Sequence, residues 1–488
     1  MIKWITIVLL FVASTASAEW VNVDSFNGAV TSLKSAQVPV DRARKNVDWL
    51  VTNGRLERIK VDRIPLLGDV PLGILGQQIS KSWLIYMSGG DSLYGYKVTD
   101  GTNAVATNTS HLDSLDYRDV SFETNHVTIL VNCGKLGGPD RYKDNIITDF
   151  GSTLKYELGI AHKRRAFWAR TASYAAPSIG WSTQNKYNDQ ESSEELEGSD
   201  PITALVSFGS RLGIGRRHGW YALDGATMAD FYLTPLAPRV GPTNQQTTVF
   251  NDKEGNVLFV NELGLWQFDG ANCQQLHVNN SGIFSDSINW SYEGIMFAAI
   301  YDDKYWLAAP FGAGTTNNRL VVFDLAGDGI SFISGINPQS LWIYKPYTGE
   351  QTFYITDVSH VGGGDAKATM WQMYTTEDSA VYSKADYRSG WYLGTSEHKQ
   401  KIITQYEMTY SGATGDSIFV DFYGDFSETI LWTDSFRVAS TGDFTIYSPV
   451  GRAARGKTVA YGIRSPDKTV QIINFGMDVS ELIDNRKQ

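Results

Sequence analysis

The chain reads as an all-β protein: an irregular β-propeller-like body with an N-terminal arm and a C-terminal β-sandwich or barrel domain. Three observations lead there. One beat recurs, a short apolar strand, a polar turn and an aromatic-rich strand running into Asp-Gly or Gly-Asp: "SWLIYMSGGDSLYGYKVTDG", "ALVSFGSRLGIGRRHGWYALDG", "NVLFVNELGLWQFDG" and "KYWLAAPFGAGTTNNRLVVFDLAGDG". Aromatics make up 12% of the chain and there are 46 glycines, with only 19% charged residues, which suits extensive burial and tight turns. The last quarter then changes to longer strands with clear period-two alternation.

The elements follow in order. Residues 1–18 are a signal-like segment or a hydrophobic arm: Lys3 precedes an apolar run from Trp4 to Ala13, and Ala16 to Ala18 offer small residues for cleavage. No later segment has 18 uncharged apolar residues, so no spanning helix is expected. Residues 19–78 read as an N-terminal arm or platform, with short β-like runs and one short helix around Asp41 to Leu50. Pro65 and Pro71 argue against a long regular element there.

Residues 79–398 form the propeller-like part. "HVTILVN" at His126 to Asn132 and "RAFWARTAS" are core strands, and the acidic stretch Asn185 to Asp200 reads as a solvated loop. Trp83, Tyr86, Trp220, Tyr221, Trp266, Phe268, Tyr305 and Trp306 are expected to pack between neighbouring sheets. Spacing between the clearest repeats is irregular, so the number of blades stays open and a stacked sandwich competes. Residues 399–488 hold "KIITQYEMTY", "SIFVDFYGD", "DFTIYSPVG", "KTVAYGIRS" and "KTVQIINFGMDV", the strands of a small sandwich or barrel.

The net charge of −11 argues against a broad nucleic-acid-binding face, because phosphate contacts need dense Lys and Arg. Cys133 and Cys273 are too few for a disulfide scaffold and read as free, buried thiols, with a bridge between them left open. There is no nucleophile elbow, no HExxH and no zinc-like spacing among the seven histidines. The turn carboxylates Asp224, Glu254, Glu262 and Asp269 do not pair from sequence, and "FGAGTTNN" lacks the order of a phosphate loop. No catalytic residue, cofactor or metal site is therefore expected, and no enzyme activity. The basic spots are Lys163, Arg164 and Arg165, then Arg211, Arg216, Arg217 and His218, then Arg452, Arg455 and Lys457. Arg211, Arg216, Arg217, Arg452 and Arg455 are the candidates for contact with a subunit or a DNA backbone, against plain solvated turns.

The segment His162 to Gly225, with Tyr221, Leu223 and Gly225 closing it, resembles the tail hub or nozzle proteins of short-tailed bacteriophages. Gly264, Leu265, Trp266, Phe268 and Gly270 take equivalent places in the next element, as do Tyr305, Trp306 and Leu320 to Leu325 in the one after. Asn46, Gly54, Leu56 and Arg58 are similar to that family's opening. The resemblance implies a structural virion protein: a ring of identical subunits, usually a hexamer, closing the DNA channel at the end of a short tail. Its partners would be the portal or connector, adaptor proteins, a tail fibre or spike, and double-stranded DNA in passage without sequence recognition. The signal-like N-terminus departs from that pattern. It keeps open a secreted β-propeller that binds glycan or protein, a glycosidase, or a surface adhesion module.

Overall fold

The computed structural model describes residues 18–23, 26–29, 42–52 and 55–58, the strand backbones between 61 and 155, and residues 156–482 apart from short segments. The longest of those are 172–176, 185–189, 345–350, 358–368, 375–384 and 395–398. Through most of this span, chain order is sheet order. Sheet 1 holds Pro71–Ser80, Trp83–Ser88, Ser92–Lys97 and Thr102–Asn108; sheet 2 holds Val120–Glu123, His126–Val131, Asp140–Lys143 and Ile146–Asp149. Sheet 3 holds Tyr156–His162, Arg165–Thr171, Ser178–Ser182 and Gln190–Glu195; sheet 4 holds Ile202–Phe208, Arg211–Arg216, Gly219–Asp224 and Tyr232–Pro235. Sheet 5 holds Val249–Asn251, Asn256–Asn261, Gly264–Phe268 and Cys273–Leu276. Phe297–Tyr301, Lys304–Ala309, Arg319–Asp324 and Ile330–Ile333 form sheet 6, which continues into a ten-stranded sheet. Sheet 7 combines Pro338–Tyr344, Thr352–Asp357 and Thr369–Met373 with a strand from far upstream, Val61–Pro65.

The inner strands of sheets 3 to 7 are apolar on both faces because both faces are covered. Successive side chains of a strand point to opposite sides. In sheet 5, Val257 and Phe259 join Val206 and Trp220 of sheet 4, while Leu258 and Val260 join Leu307 and Phe323 of sheet 6. In sheet 6, Tyr305 and Leu307 face sheet 5, while Trp306 and Ala308 face Phe353 and Trp371 of sheet 7. The Trp220 and Phe268 rings stack at 4.4 Å across the junction of sheets 4 and 5. Buried polar groups reinforce the seams. Leu205 N–H donates to Gln245 Oε1 at 2.6 Å, and Gln245 Nε2 returns a bond to Leu205 O at 3.0 Å. Each of these bonds answers a main-chain group that no ladder satisfies.

The two ends of the chain build a second body together. A seven-stranded sheet contains Ala18–Val23, Leu50–Thr52, Arg55–Glu57, Gln400–Gly412, Gly442–Pro449 and Gln471–Leu482. The far half of the ten-stranded sheet contains Arg42–Val47, Ala385–Ser389, Val459–Ser465, Ser417–Gly424 and Ile430–Arg437. Their facing sides share one core, with Leu56, Ile403, Tyr406, Phe475 and Met477 from the first and Tyr387, Val420, Phe422, Tyr461 and Ile463 from the second. This is sheet-on-sheet packing. Leu50 leaves that body and enters the core between sheets 6 and 7, beside Trp306, Phe353 and Trp371.

Several sequence expectations change at this point. The strands of the segment expected as an arm belong to the sandwich, to sheet 7 and, from Pro71, to sheet 1. The helix expected around Asp41 to Leu50 is the strand Arg42–Val47, paired with Ala385–Ser389 on one side and Ile330–Ile333 on the other. Two waiting strand edges outweigh the local preference of a short charged run. Pro65 and Pro71 do not interrupt strands but terminate them, Pro65 as the last residue of an edge strand and Pro71 as the first of another. The acidic stretch Asn185 to Asp200 includes a strand, Gln190–Glu195, paired with Ser178–Ser182 at the edge of sheet 3. An outer strand with solvent on it needs backbone partners but no apolar pattern. The signal-like residues 1–17 lie outside the described residues. Ala18–Val23 pairs antiparallel with the C-terminal strand from Glu19↔Val479 to Val23↔Phe475.

Leu56 is fully buried in the shared core. Leu56→Ala should therefore cost about 2–5 kcal/mol in denaturant unfolding, the range for an unrelaxed core cavity; a loss below about 0.5 kcal/mol would mean the N-terminal strands are dispensable. His162 is buried in the seam between sheets 3 and 4, with Nδ1 2.7 Å from Ser207 Oγ, and its pKa falls to about 4, through burial first and then Lys163. A depressed folded pKa favours the native state above the unfolded value near 6.5, and that contribution is lost as pH falls from there toward 4. At 1.36 kcal/mol per unit, roughly 3 kcal/mol of pH-dependent stability is at stake. His162→Gln should flatten the stability-versus-pH curve in that window, as read by urea melts at stepped pH.

Candidate functional site

Three separate parts of the chain meet at the rim of the core that Leu50 enters. Sheet 6 supplies the hairpin turn Tyr301-Asp302-Asp303-Lys304, a two-residue loop with Asp302 and Asp303 at φ of 52° and 53°. Paired positive φ values are what a tight hairpin of this length requires, and Asp tolerates them better than most residues. Sheet 7 supplies Tyr374, immediately after Thr369–Met373 and held at φ 60°. The sandwich supplies Arg55–Glu57 and Gln471.

The aromatic part is continuous with the core. Tyr301 stacks on Phe353 at 5.4 Å and lies 5.2 Å from Tyr374, whose ring meets Trp306 edge-on at 6.1 Å. Trp306 and Phe353 are buried beneath, while Tyr374 is 37% exposed. A bulky non-glycine residue at positive φ is strained, and here the strain holds an aromatic ring at the surface. The phenol group is pushed well above its ordinary pKa, by burial first, then by Asp302, Tyr301 and Glu57.

The polar part surrounds that ring. Lys304 is almost fully buried, and its ammonium donates to Asp302 O and Oδ2, both at 3.0 Å. Glu57 accepts from Gln471 Nε2. Its pKa is raised, by burial first, opposed by the Gln471 bond and by Lys304 and Arg55, and assisted by Asp302. The corner thus holds a partly exposed aromatic ring, a neutral phenol, two carboxylates and a buried ammonium. It can stack against a flat apolar ligand face and exchange hydrogen bonds around its edge.

Among the described residues, the sequence-predicted arginines do not gather at this corner or at any other. Arg211 and Arg216 stand at opposite ends of one strand. Arg211 Nε is bonded to Asp224 at 2.9 Å; Arg216 is buried and donates to Asp200 O and Glu197 O at 2.7 and 2.6 Å. Arg217 is paired with Glu293. Arg455 is an exposed residue of the sandwich, opposite Ile402, and Arg452 lies outside the described residues. The first three have internal partners. The corner itself went unread in the sequence because its residues are far apart in the chain; the one local cue is the double-aspartate turn in "YDDKY". Of the two cysteines, Cys273 is a free thiol pushed up to about 12 by burial and Asp269, and Cys133 lies outside the described residues. Among the described residues no group of His, Cys, Asp or Glu is arranged to hold a metal ion. No described helix is long and apolar enough to cross a membrane.

The chain matches no protein-family profile and no curated protein. Solved structures similar to it include YCF48 bound to D1 peptide, at 13% identity over 66% of this chain and 97% of that one, with a TM-score of 0.40. The AfRom2 CNH domain gives 10% identity over 64% and 98%, with a TM-score of 0.38. The extracellular domain of the putative hybrid two component system BT4673 from B. thetaiotaomicron gives 12% over 83% and 59%, with a TM-score of 0.44. None of these is a phage tail protein, and no family profile supports one. The expectation of a virion tail ring is corrected accordingly.

The electrostatics of the corner can be tested directly. Lys304→Met should raise the Glu57 pKa further and Asp302→Asn should lower it, followed by carboxyl-carbon NMR titration. Opposite movements, or none, would mean Glu57 does not share the site.

Proposed function

We propose that the chain is a non-enzymatic, secreted β-propeller binding protein that holds a glycan on the Tyr301–Tyr374 ledge. Six four-stranded sheets and the first four strands of the ten-stranded sheet supply the blades. Two observations support closure into a ring. The strand Pro338–Tyr344 lies beside Phe297–Tyr301 of sheet 6 and also beside Pro71–Ser80 of sheet 1. The upstream strand Val61–Pro65 completes sheet 7 by pairing from Met373↔Val61 to Thr369↔Pro65, so that the two ends of the ring are laced together. The secretory address rests on the signal-like start, and a mature product beginning at Glu19 in the culture medium is its expected signature.

The observation that carries the reading is Tyr374, a strained and partly exposed ring seated on Tyr301 and Trp306 with Glu57 and Asp302 at its edge. A sugar presents an apolar C–H face to such a ring and hydroxyls to the carboxylates around it. Ligand sites favour junctions between packed bodies, as here between sheets 6 and 7 and the sandwich.

A glycan array followed by calorimetry tests this. The wild-type chain should bind a glycan, and Tyr374→Ala should weaken it by at least about tenfold, the loss of one stacked aromatic contact worth roughly 1.4 kcal/mol. Undiminished binding in Tyr374→Ala, or no glycan bound by the wild type, rejects the ledge. Release of reducing sugar that disappears in Glu57→Gln would replace a binding protein with a glycosidase.

A further inference from the structure

A second cluster, on the sandwich, has a charge pattern that its own residues do not complete. Arg44 on Arg42–Val47 and Arg388 on Ala385–Ser389 lie on neighbouring strands and grip the same carboxylate, that of Glu428. Arg44 Nη1 bonds Oε1, and Arg388 Nη1 bonds Oε2 at 2.6 Å. Arg388 also forks onto Asp386 at 3.2 and 3.0 Å, and Lys45 Nζ reaches Asp386 Oδ2 at 2.6 Å. Three cations therefore share two carboxylates, an excess of positive charge in a chain whose net charge is −11.

The clamp is tied into the fold. The Arg44 guanidinium sits 4.2 Å over the Trp391 ring and its Nε donates to Ser389 O at 2.6 Å. Arg388 lies 5.6 Å over Tyr423. The Arg44 side chain is only 5% exposed, yet its Nη2 has no hydrogen-bond partner, and neither does the buried Tyr423 hydroxyl. Each buried donor without an acceptor is costly, and the described residues hold others, the Trp49, Trp181 and Trp220 indole N–H groups among them; here two lie beside one exposed carboxylate. By contrast, the carboxylate in the clamp is its most exposed member: the Glu428 side chain is 56% exposed. It rides on a surface turn in which Asp425 and Phe426 both have positive φ, and Phe426, 47% exposed, meets Trp391 edge-on at 5.4 Å.

We propose that the Arg44–Arg388 clamp is a binding site for the carboxylate of a hexuronate sugar, occupied in the free protein by Glu428 acting as an internal stand-in. Two arginines converging on one carboxylate give the fork geometry that planar anion recognition uses. The incoming sugar displaces Glu428 and supplies acceptors to Arg44 Nη2 and the Tyr423 hydroxyl. Its ring lies against Phe426. The tethered Glu428 competes at the millimolar effective concentration of a short link, which keeps the apparent affinity of the wild type low. This site is separate from the Tyr374 ledge and does not depend on it.

The test titrates galacturonic acid, with galactose as the neutral control, into the full chain by calorimetry and thermal shift. Glu428→Ala should melt lower than the wild type, be restored by galacturonate and not by galactose, and bind galacturonate at least about tenfold more tightly. Glu428→Gln, which keeps the shape of the turn, carries the same test if the alanine variant does not fold. Adding Arg388→Ala to either should abolish the gain, whereas Tyr374→Ala should leave it intact. Equal restoration by sodium chloride at matched ionic strength, or galacturonate binding in Glu428→Ala and Glu428→Gln no tighter than in the wild type, would overturn the proposal.

Discussion

The structure depends on strands that are apolar on both faces and therefore need a neighbour on each side. An isolated sheet of four short strands can pair its backbone but leaves two apolar faces in water. In sheet 5, Phe259 requires Trp220 and Leu258 requires Leu307, one residue apart in sequence and on opposite sides of the sheet. Burial of this kind contributes on the order of 25 cal/mol per Å² of apolar surface, and it is gained only when sheets stack. The series must then end somewhere, and the molecule handles its ends with its own termini.

That constraint explains why residues from both chain ends converge. Sheet 7 takes its last strand from Val61–Pro65, and the sandwich takes strands from 18–57 and 385–482. Each pairing hides an edge that would otherwise present free N–H and C=O groups. Leu50 adds a side-chain anchor by entering the core of sheets 6 and 7. The ledge around Tyr374 lies at this meeting point, where three chain segments end together and no single sheet can cover the surface.

Polar groups are placed with the same economy. Lys304, Arg216 and Gln245 are buried or nearly so, and each meets main-chain oxygens. Such groups are tolerable in low dielectric only when satisfied. Other buried polar atoms have no hydrogen-bond partner, Trp181 Nε1 and Trp220 Nε1 among them; Arg44 Nη2 and the Tyr423 hydroxyl differ in lying in one cluster beside an exposed carboxylate. His162 has Nδ1 on Ser207 Oγ, and burial favours its neutral form, which is why acid acts on that seam.

The strands themselves were legible in the sequence. The runs "NVLFVN", "KYWLAA" and "RLVVFD" announce two-faced burial by lacking alternation, and the longer closing strands announce a different body by having it. Trp220, Phe268, Tyr305 and Trp306 were readable as packing residues for the same reason, and they are buried between sheets. Partnership was not legible. A strand's periodicity is written in its own six residues, whereas its neighbour is whichever free edge lies close once everything else has packed. So Arg42–Val47 read as a helix, Gln190–Glu195 read as a loop, and Val61–Pro65 gave no sign that it completes a sheet begun at Pro338. Both candidate sites share that origin: Glu57, Asp302 and Tyr374, like Arg44, Arg388 and Glu428, are brought together by long-range pairing, and only the tertiary structure decides it.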